Sequence, residues 1–99
     1  MKIHVGLIRD FIAGIIPERE AIISKDRVVT YGELAARSRR FARVLAARGL
    51  GCRTERAALK PWESGHDHVA IYLYNCPEYL EIMYGSYKAR AASLNINYR

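Results

Sequence analysis

His66 and Asp67 end the segment "CRTERAALKPWESGHD", and His68 follows directly. Two histidines at i and i+2 share one face of a strand, where their ring nitrogens can take a common metal ion. Zinc would need one or two further ligands to complete such a site. Cys76, Glu63 and Asp67 are available, but nothing in their spacing groups them, so the triplet is read as a polar lead-in to a strand. Cys76 falls near a predicted helix N-terminus, a position that lowers a thiol pKa. The sequence fixes no histidine or other base beside it to complete a nucleophile. Arg37, Arg39, Arg40, Arg43 and Arg48 crowd one predicted helix. A nucleic-acid reader would want them on one stripe. On the helical wheel Arg39 and Arg43 point away from the apolar face, Arg40 lies to one side, and Arg37 and Arg48 flank it, so a solvated face is the reading adopted. Tyr72, Tyr74, Tyr79, Tyr84 and Tyr87 could form a stacking platform, yet most fall on faces predicted to be buried and are expected in the core. The glycines build no GxGxxG, GxxxxGK[ST] or GxSxG motif. No catalytic, cofactor-binding or metal-ligating residue is therefore assigned.

The elements that would position such residues belong to one small unit. The chain has 99 residues, 51% of them apolar, with 16 basic and 10 acidic side chains and a net charge of +6. That content permits a packed core and argues against disorder. The positive balance suits nucleotides, nucleic acid or an anionic membrane surface without choosing among them. No apolar run approaches the ~20 residues that cross a bilayer. At the N-terminus, Arg9 and Asp10 interrupt the apolar content before a signal-peptide core develops, so an amphipathic helix is expected there. Cys52 and Cys76 form neither a CxxC nor a disulfide framework, and a reducing cytoplasm is the expected compartment.

Ile3, Leu7, Phe11 and Ile15 recur at helical spacing, with Gly14 and Pro17 marking the stop. "AIIS" and "RVVTY", separated by Lys25 and Asp26, read as a hairpin. Thr30 followed by Glu33 fits a capping box, with the hydroxyl accepting from the Glu33 amide and the carboxylate reaching back to the Thr30 amide. This predicts a helix from Tyr31 to Arg48, with Leu34, Phe41, Val44 and Leu45 on one face, Ser38 among them, and Gly49 and Gly51 at its end. Residues Cys52 to Asp67 read as a long loop with a helical turn near Thr54 to Leu59. "HVAIYLYN" reads as a largely buried strand. Pro77 opens a second helix running to Arg90, with a wide apolar face of Tyr79, Leu80, Ile82, Met83, Tyr84 and Tyr87. Glu78 and Glu81 near its start and Lys88 and Arg90 at its end complement the helix dipole. Gly85 inside this helix is read as a point of close packing. "AASLNI" completes a βαβ unit from about Val69 to Ile96, for which a parallel crossover is expected.

"TYGELAARSRRFARVLAARGLG" followed by "HVAIYLYNCPEYLEIMYGSYKARAASLNINYR" closely resembles the N-terminal part of AMP-forming acyl-CoA synthetases, members of the adenylate-forming superfamily. "PEREAII" and "VVTYGEL" fit that family's opening hairpin, and "NCPEYLE", "YKARAA" and "NINYR" resemble its fatty-acyl branch. The resemblance runs from about Pro17 to Arg99. Where many members have a short Gly-Asp turn, residues 52–67 here look like a surface insert.

The resemblance implies an α/β fold: a partial layer of the adenylate-forming N-terminal domain, incomplete on its own, over residues 1–99. It implies a two-step ligase in which a carboxylate such as a fatty acid reacts with ATP to give acyl-adenylate and pyrophosphate, and coenzyme A then displaces AMP, with Mg²⁺ supporting the phosphates. The family's phosphate loop and later motifs are not in these residues, so the chain is expected to be an inactive fragment from a shortened reading frame or a gene remnant. The alternative is a stand-alone protein-interaction module built on the same layer. A nucleic-acid binder rests only on the net charge and fails the stripe criterion.

Overall fold

The computed structural model describes residues 5–96. Eight elements follow in the order helix α1 (Val5–Ile15), strands β1 (Glu20–Ile23) and β2 (Val28–Thr30), helix α2 (Tyr31–Ala47), a 3₁₀ turn (Arg56–Ala58), strand β3 (His68–Ile71), helix α3 (Pro77–Lys88) and strand β4 (Ala92–Asn95). The α/β class is as expected. The Ile3 end of the predicted first helix and the "NYR" end of the family-like stretch lie outside the described residues.

β1 and β2 pair antiparallel across a turn closed by Ser24 N–H to Arg27 O at 2.8 Å and Arg27 N–H to Ser24 O at 3.3 Å. Thr30 ends β2 and caps α2 at once. Its extended backbone (φ −78°, ψ 164°) lets Oγ1 accept from the Glu33 amide at 3.2 Å. The second half of the expected capping box differs. The Thr30 hydroxyl donates to the Glu33 carboxylate at 3.1 Å, so Glu33 tethers the hydroxyl instead of the Thr30 amide. Both long helices close with paired backbone bonds around a left-handed residue. At the end of α2, Gly49 (φ 74°) donates to Ala46 O and Leu50 to Leu45 O, each at 3.0 Å. At the end of α3 the left-handed position is taken by Arg90 (φ 63°), which donates to Tyr87 O at 3.0 Å while Ala91 donates to Ser86 O at 2.8 Å. The helix thus stops at Lys88, two residues before its expected end.

β3 and β4 pair in parallel, His68 opposite Ala92 through Ile71 opposite Asn95, which is the expected βαβ unit. α3 spans the crossover and touches its own sheet through hydroxyls. Tyr87 Oη lies 3.1 Å from Ser93 Oγ, and Tyr79 donates to Asn95 Oδ1.

The core lies where α2 meets α3, and small residues set its spacing. Ser38 and Ser86 are fully buried, with Leu34, Ala35, Ala42, Leu45, Ile71 and Ala91 around them. A Cβ on Gly85 would stand 2.8 Å from Phe41 Cδ2 and 2.9 Å from Ser38 O, so the helices approach as closely as a bare α-carbon allows. Ser86 satisfies its hydroxyl on Ile82 O one turn back at 2.7 Å.

Four burial expectations are corrected. In α1 the apolar stripe of Leu7, Phe11 and Ile15 faces outward, with Phe11 71% exposed, whereas Gly6, Arg9 and Ala13 form the buried face. Small residues let the helix sit close to its neighbours, and this phase won over hydrophobicity. In α3 the buried positions are Pro77, Glu81, Gly85 and Ser86, and the six large apolar residues are only half-buried. In β3, pairing stops at Ile71, so Tyr72 and Tyr74 lie beyond the ladder and are exposed. They are not core residues. Val44 on α2 is likewise exposed.

Candidate functional site

The residues singled out as chemically competent do not converge. His66 and His68 are exposed, and Asp67 between them is occupied structurally. Its carboxylate accepts from the Gly51 amide at 2.9 Å and from Arg53 Nε at 3.0 Å, tying the two ends of the 52–67 loop together. These two bonds, the backbone amide first, hold the Asp67 carboxyl below the ordinary aspartate range. Among the described residues no group of three His, Cys, Asp or Glu side chains could hold a metal ion. Cys76 occupies the N-cap of α3, but its side chain makes no capping bond. It lines an open groove with Ser24, Lys25, Asp26, Arg27, Asn75 and Pro77. The cations of the groove are Lys25 and Arg27, and Arg27 is committed to Glu78. Of the five arginines on α2 and its cap, all are exposed, and the four other than Arg37 carry no ion pair among the described residues, which agrees with a solvated face.

The structure instead assembles a cross-brace centred on α3. Arg27 of the hairpin turn pairs with Glu78, Arg37 of α2 with Glu81, Asp10 of α1 with Lys88, and Glu55 of the loop with Arg90 in a bidentate pair of 2.8 and 2.9 Å. Each links one separate element to a successive turn of α3 or its cap. The hydrogen bond from Arg27 is the main reason that the Glu78 carboxyl falls below its ordinary range, and its partner is raised in turn. Glu55 likewise raises Arg90. Glu81, expected to serve the helix dipole, is buried against Arg37.

At the α1 end of this brace lies a buried cation that the sequence reading missed. Arg9 is 5% exposed, its guanidinium carbon 4.8 Å from the centre of the Tyr84 ring. Nη2 reaches Asp10 Oδ1 at 3.4 Å, whereas Nε and Nη1 have no acceptor. Burial pushes the Arg9 pKa down. Burial, and then the neighbouring Arg9 charge, do the same to Lys88. The signal was present as Gly6, Arg9 and Ala13 at helical spacing, a small-residue stripe holding one charge. Hydrophobicity alone hides it.

A helix–hairpin–helix layer braced through α3, and joined to a βαβ unit with an open parallel sheet, makes this an α/β layer. The family described as AMP-binding enzyme matches residues 13–99. Over 88 residues the chain is 46% identical to the medium-chain acyl-CoA ligase Mig of Mycobacterium avium, covering 89% of this chain and 16% of that protein. It is 33% identical to a 3-oxocholest-4-en-26-oate–CoA ligase of Rhodococcus rhodochrous over all 99 residues, again 16% of that protein. Among solved structures, the N-terminal domain of FACL13 from Mycobacterium tuberculosis superposes with a TM-score of 0.77 at 29% identity, covering 100% of this chain and 22% of that domain. The chain belongs to the AMP-binding enzyme family. It spans about a sixth of the length of the curated relatives (16%).

Proposed function

We propose that residues 1–99 are the N-terminal portion of an ATP-dependent acyl-CoA ligase domain, with residues 52–67 a surface insert on it. The reaction is joining of an aliphatic carboxylate to coenzyme A: the carboxylate takes the AMP moiety of ATP with loss of pyrophosphate, and the thiol then displaces AMP to form the thioester. The reading is carried by one observation, the 46% identity to a curated acyl-CoA ligase across 89% of the chain. A role in fatty-acid metabolism, carried out in the cytoplasm, is part of this proposal. Among the described residues no helix is long and apolar enough to cross a membrane.

Within that reading the residues here contribute rigidity and not chemistry. No cluster suited to Mg²⁺ exists among the described residues, and no glycine loop able to cradle phosphates occurs in the sequence. No nucleotide, metal or coenzyme A contact and no reaction step is proposed for these residues. The 99-residue chain alone is expected to be inactive. The test is ATP–pyrophosphate exchange with a panel of medium-chain fatty acids. It is run on this chain and on a chimaera in which the chain replaces the matching segment of the Mycobacterium avium ligase. Exchange by the chimaera and none by the chain is expected. Exchange by the chain alone overturns the scaffold role, and a folded but inactive chimaera counts against the ligase assignment.

A second reading, a protein-interaction module on the same layer, is favoured by the outward apolar face of α1. Slow amide exchange across Val69 to Ile96 in a monodisperse sample would favour it, because an incomplete layer should not protect those amides.

A further inference from the structure

The segment between α2 and β3 is a compact loop with a pinned neck. Cys52 and His66 form an antiparallel bridge, and the amides of Arg53 and Thr54 both donate to Gly65 O, at 2.6 and 3.1 Å. Gly65 is buried, and a Cβ there would lie 2.0 Å from Thr54 O, so only glycine fits. Asp67 staples Gly51 and Arg53, and Glu55 is held by Arg90. A loop with close ends packed by its own residues presents its tip in one arrangement.

What it presents is apolar and cationic. Ala57, Ala58, Pro61 and Trp62 are exposed, Trp62 at 78%. Lys60 Nζ lies 5.5 Å from the centre of the Trp62 ring. Neither Arg56 nor Lys60 has an ion pair among the described residues. Glu55 is held on Arg90 and Asp67 on Arg53, which leaves Arg56 and Lys60 in the loop against one carboxylate, Glu63, which accepts from the Lys60 amide at 2.8 Å. An indole is amphipathic and settles at the boundary between headgroups and acyl chains, and lysine and arginine beside it meet anionic headgroups. An exposed indole with a lysine over its ring and an arginine in the same loop fits a surface that yields, and the net charge of +6 favours an anionic one.

We propose that the 52–67 loop is a docking element for an anionic lipid surface, with Trp62 inserted at the interface and Lys60 and Arg56 on the headgroups. This goes beyond the ligase reading and does not depend on it.

Trp62 is the only tryptophan in the chain, so its fluorescence reports this site alone. With the full chain, vesicles of phosphatidylglycerol and phosphatidylcholine should shift the emission to the blue, and brominated lipid should quench it. Pure phosphatidylcholine should give a much weaker effect. In 1 M salt, where the Debye length is about 3 Å, the anionic preference should vanish. In vesicle sedimentation, Trp62→Ala should weaken partitioning about tenfold, near the loss of one buried aromatic anchor. Arg56→Glu with Lys60→Glu should weaken it at least as much on anionic vesicles only. Phe11→Glu, on the exposed face of α1, should leave it unchanged. Circular dichroism of each variant should match the parent, since the loop substitutions sit on exposed side chains. An unshifted emission overturns the proposal, as does sedimentation that survives Trp62→Ala or is lost in Phe11→Glu. A shift produced by polyglutamate and not by vesicles also overturns it and assigns the tip to an acidic protein partner.

Discussion

The guanidinium of Arg9 in α1 lies 4.8 Å from the centre of the Tyr84 ring in α3, with Nε and Nη1 buried and unpartnered. The ring face offers partial compensation, but two donor nitrogens removed from water without acceptors cost free energy.

Arg9→Met should therefore be neutral or raise stability by about 1–4 kcal/mol, because an apolar side chain of similar length removes the desolvation cost and keeps the contact with Tyr84. Urea unfolding measures it. A loss of stability would show that the cation–π contact and the Asp10 bond outweigh the missing acceptors.

Gly85→Ala should destabilise by roughly 1–3 kcal/mol, although alanine is the better helix former by about 0.5–1 kcal/mol. The added methyl would meet the Ser38 carbonyl and the Phe41 side chain at or under 3.0 Å, so α2 and α3 must separate. Trimming Phe41 as well should recover little, since the carbonyl of Ser38 cannot move aside. The unfolding midpoints of the single and double variants decide this.

Thr30→Ala removes the side-chain acceptor for the Glu33 amide and should cost about 1 kcal/mol. Thr30→Ser keeps the acceptor and should lose much less. An equal loss in both variants would locate the role of Thr30 in β2 and not in the cap.

Stability should fall in acid. Asp67 and Glu78 both have folded pKa values below their ordinary values of 3.8 and 4.5. Groups depressed in this way contribute stability that is present above the unfolded pKa and lost as pH falls through the folded one. The loss should begin near pH 5 and continue below pH 4, as the carboxylates release Gly51, Arg53 and Arg27. Asp67→Asn should be less stable than the parent at pH 7, and its dependence on pH between 5 and 3 should be shallower. Parallel curves for the two proteins would remove Asp67 from the account.

What could be read directly from the chain was local. Thr30 and Glu33 placed the start of α2, Gly49 its end, and Pro77 the start of α3, because caps and stops depend on a residue and its neighbours within one turn. The βαβ order and the close packing at Gly85 were also legible, since a glycine inside a strong helix costs stability and must be matched by a contact. The phase of burial was not legible. α1 carries large apolar residues on one side and Gly6, Arg9 and Ala13 on the other, and which side turns inward depends on how closely the partners approach. The α2–α3 pair, set close by Ser38, Gly85 and Ser86, admits the small side. Tyr72 and Tyr74 look like strand residues by composition, but a strand lasts only as long as its partner, and β4 pairs only as far as Asn95. The brace of Arg27, Arg37, Asp10 and Glu55 onto α3 joins residues 35 to 78 positions apart. Such pairs have no signature in spacing. They exist because folding stacks successive turns of α3 against four different elements, a juxtaposition that only the tertiary structure creates.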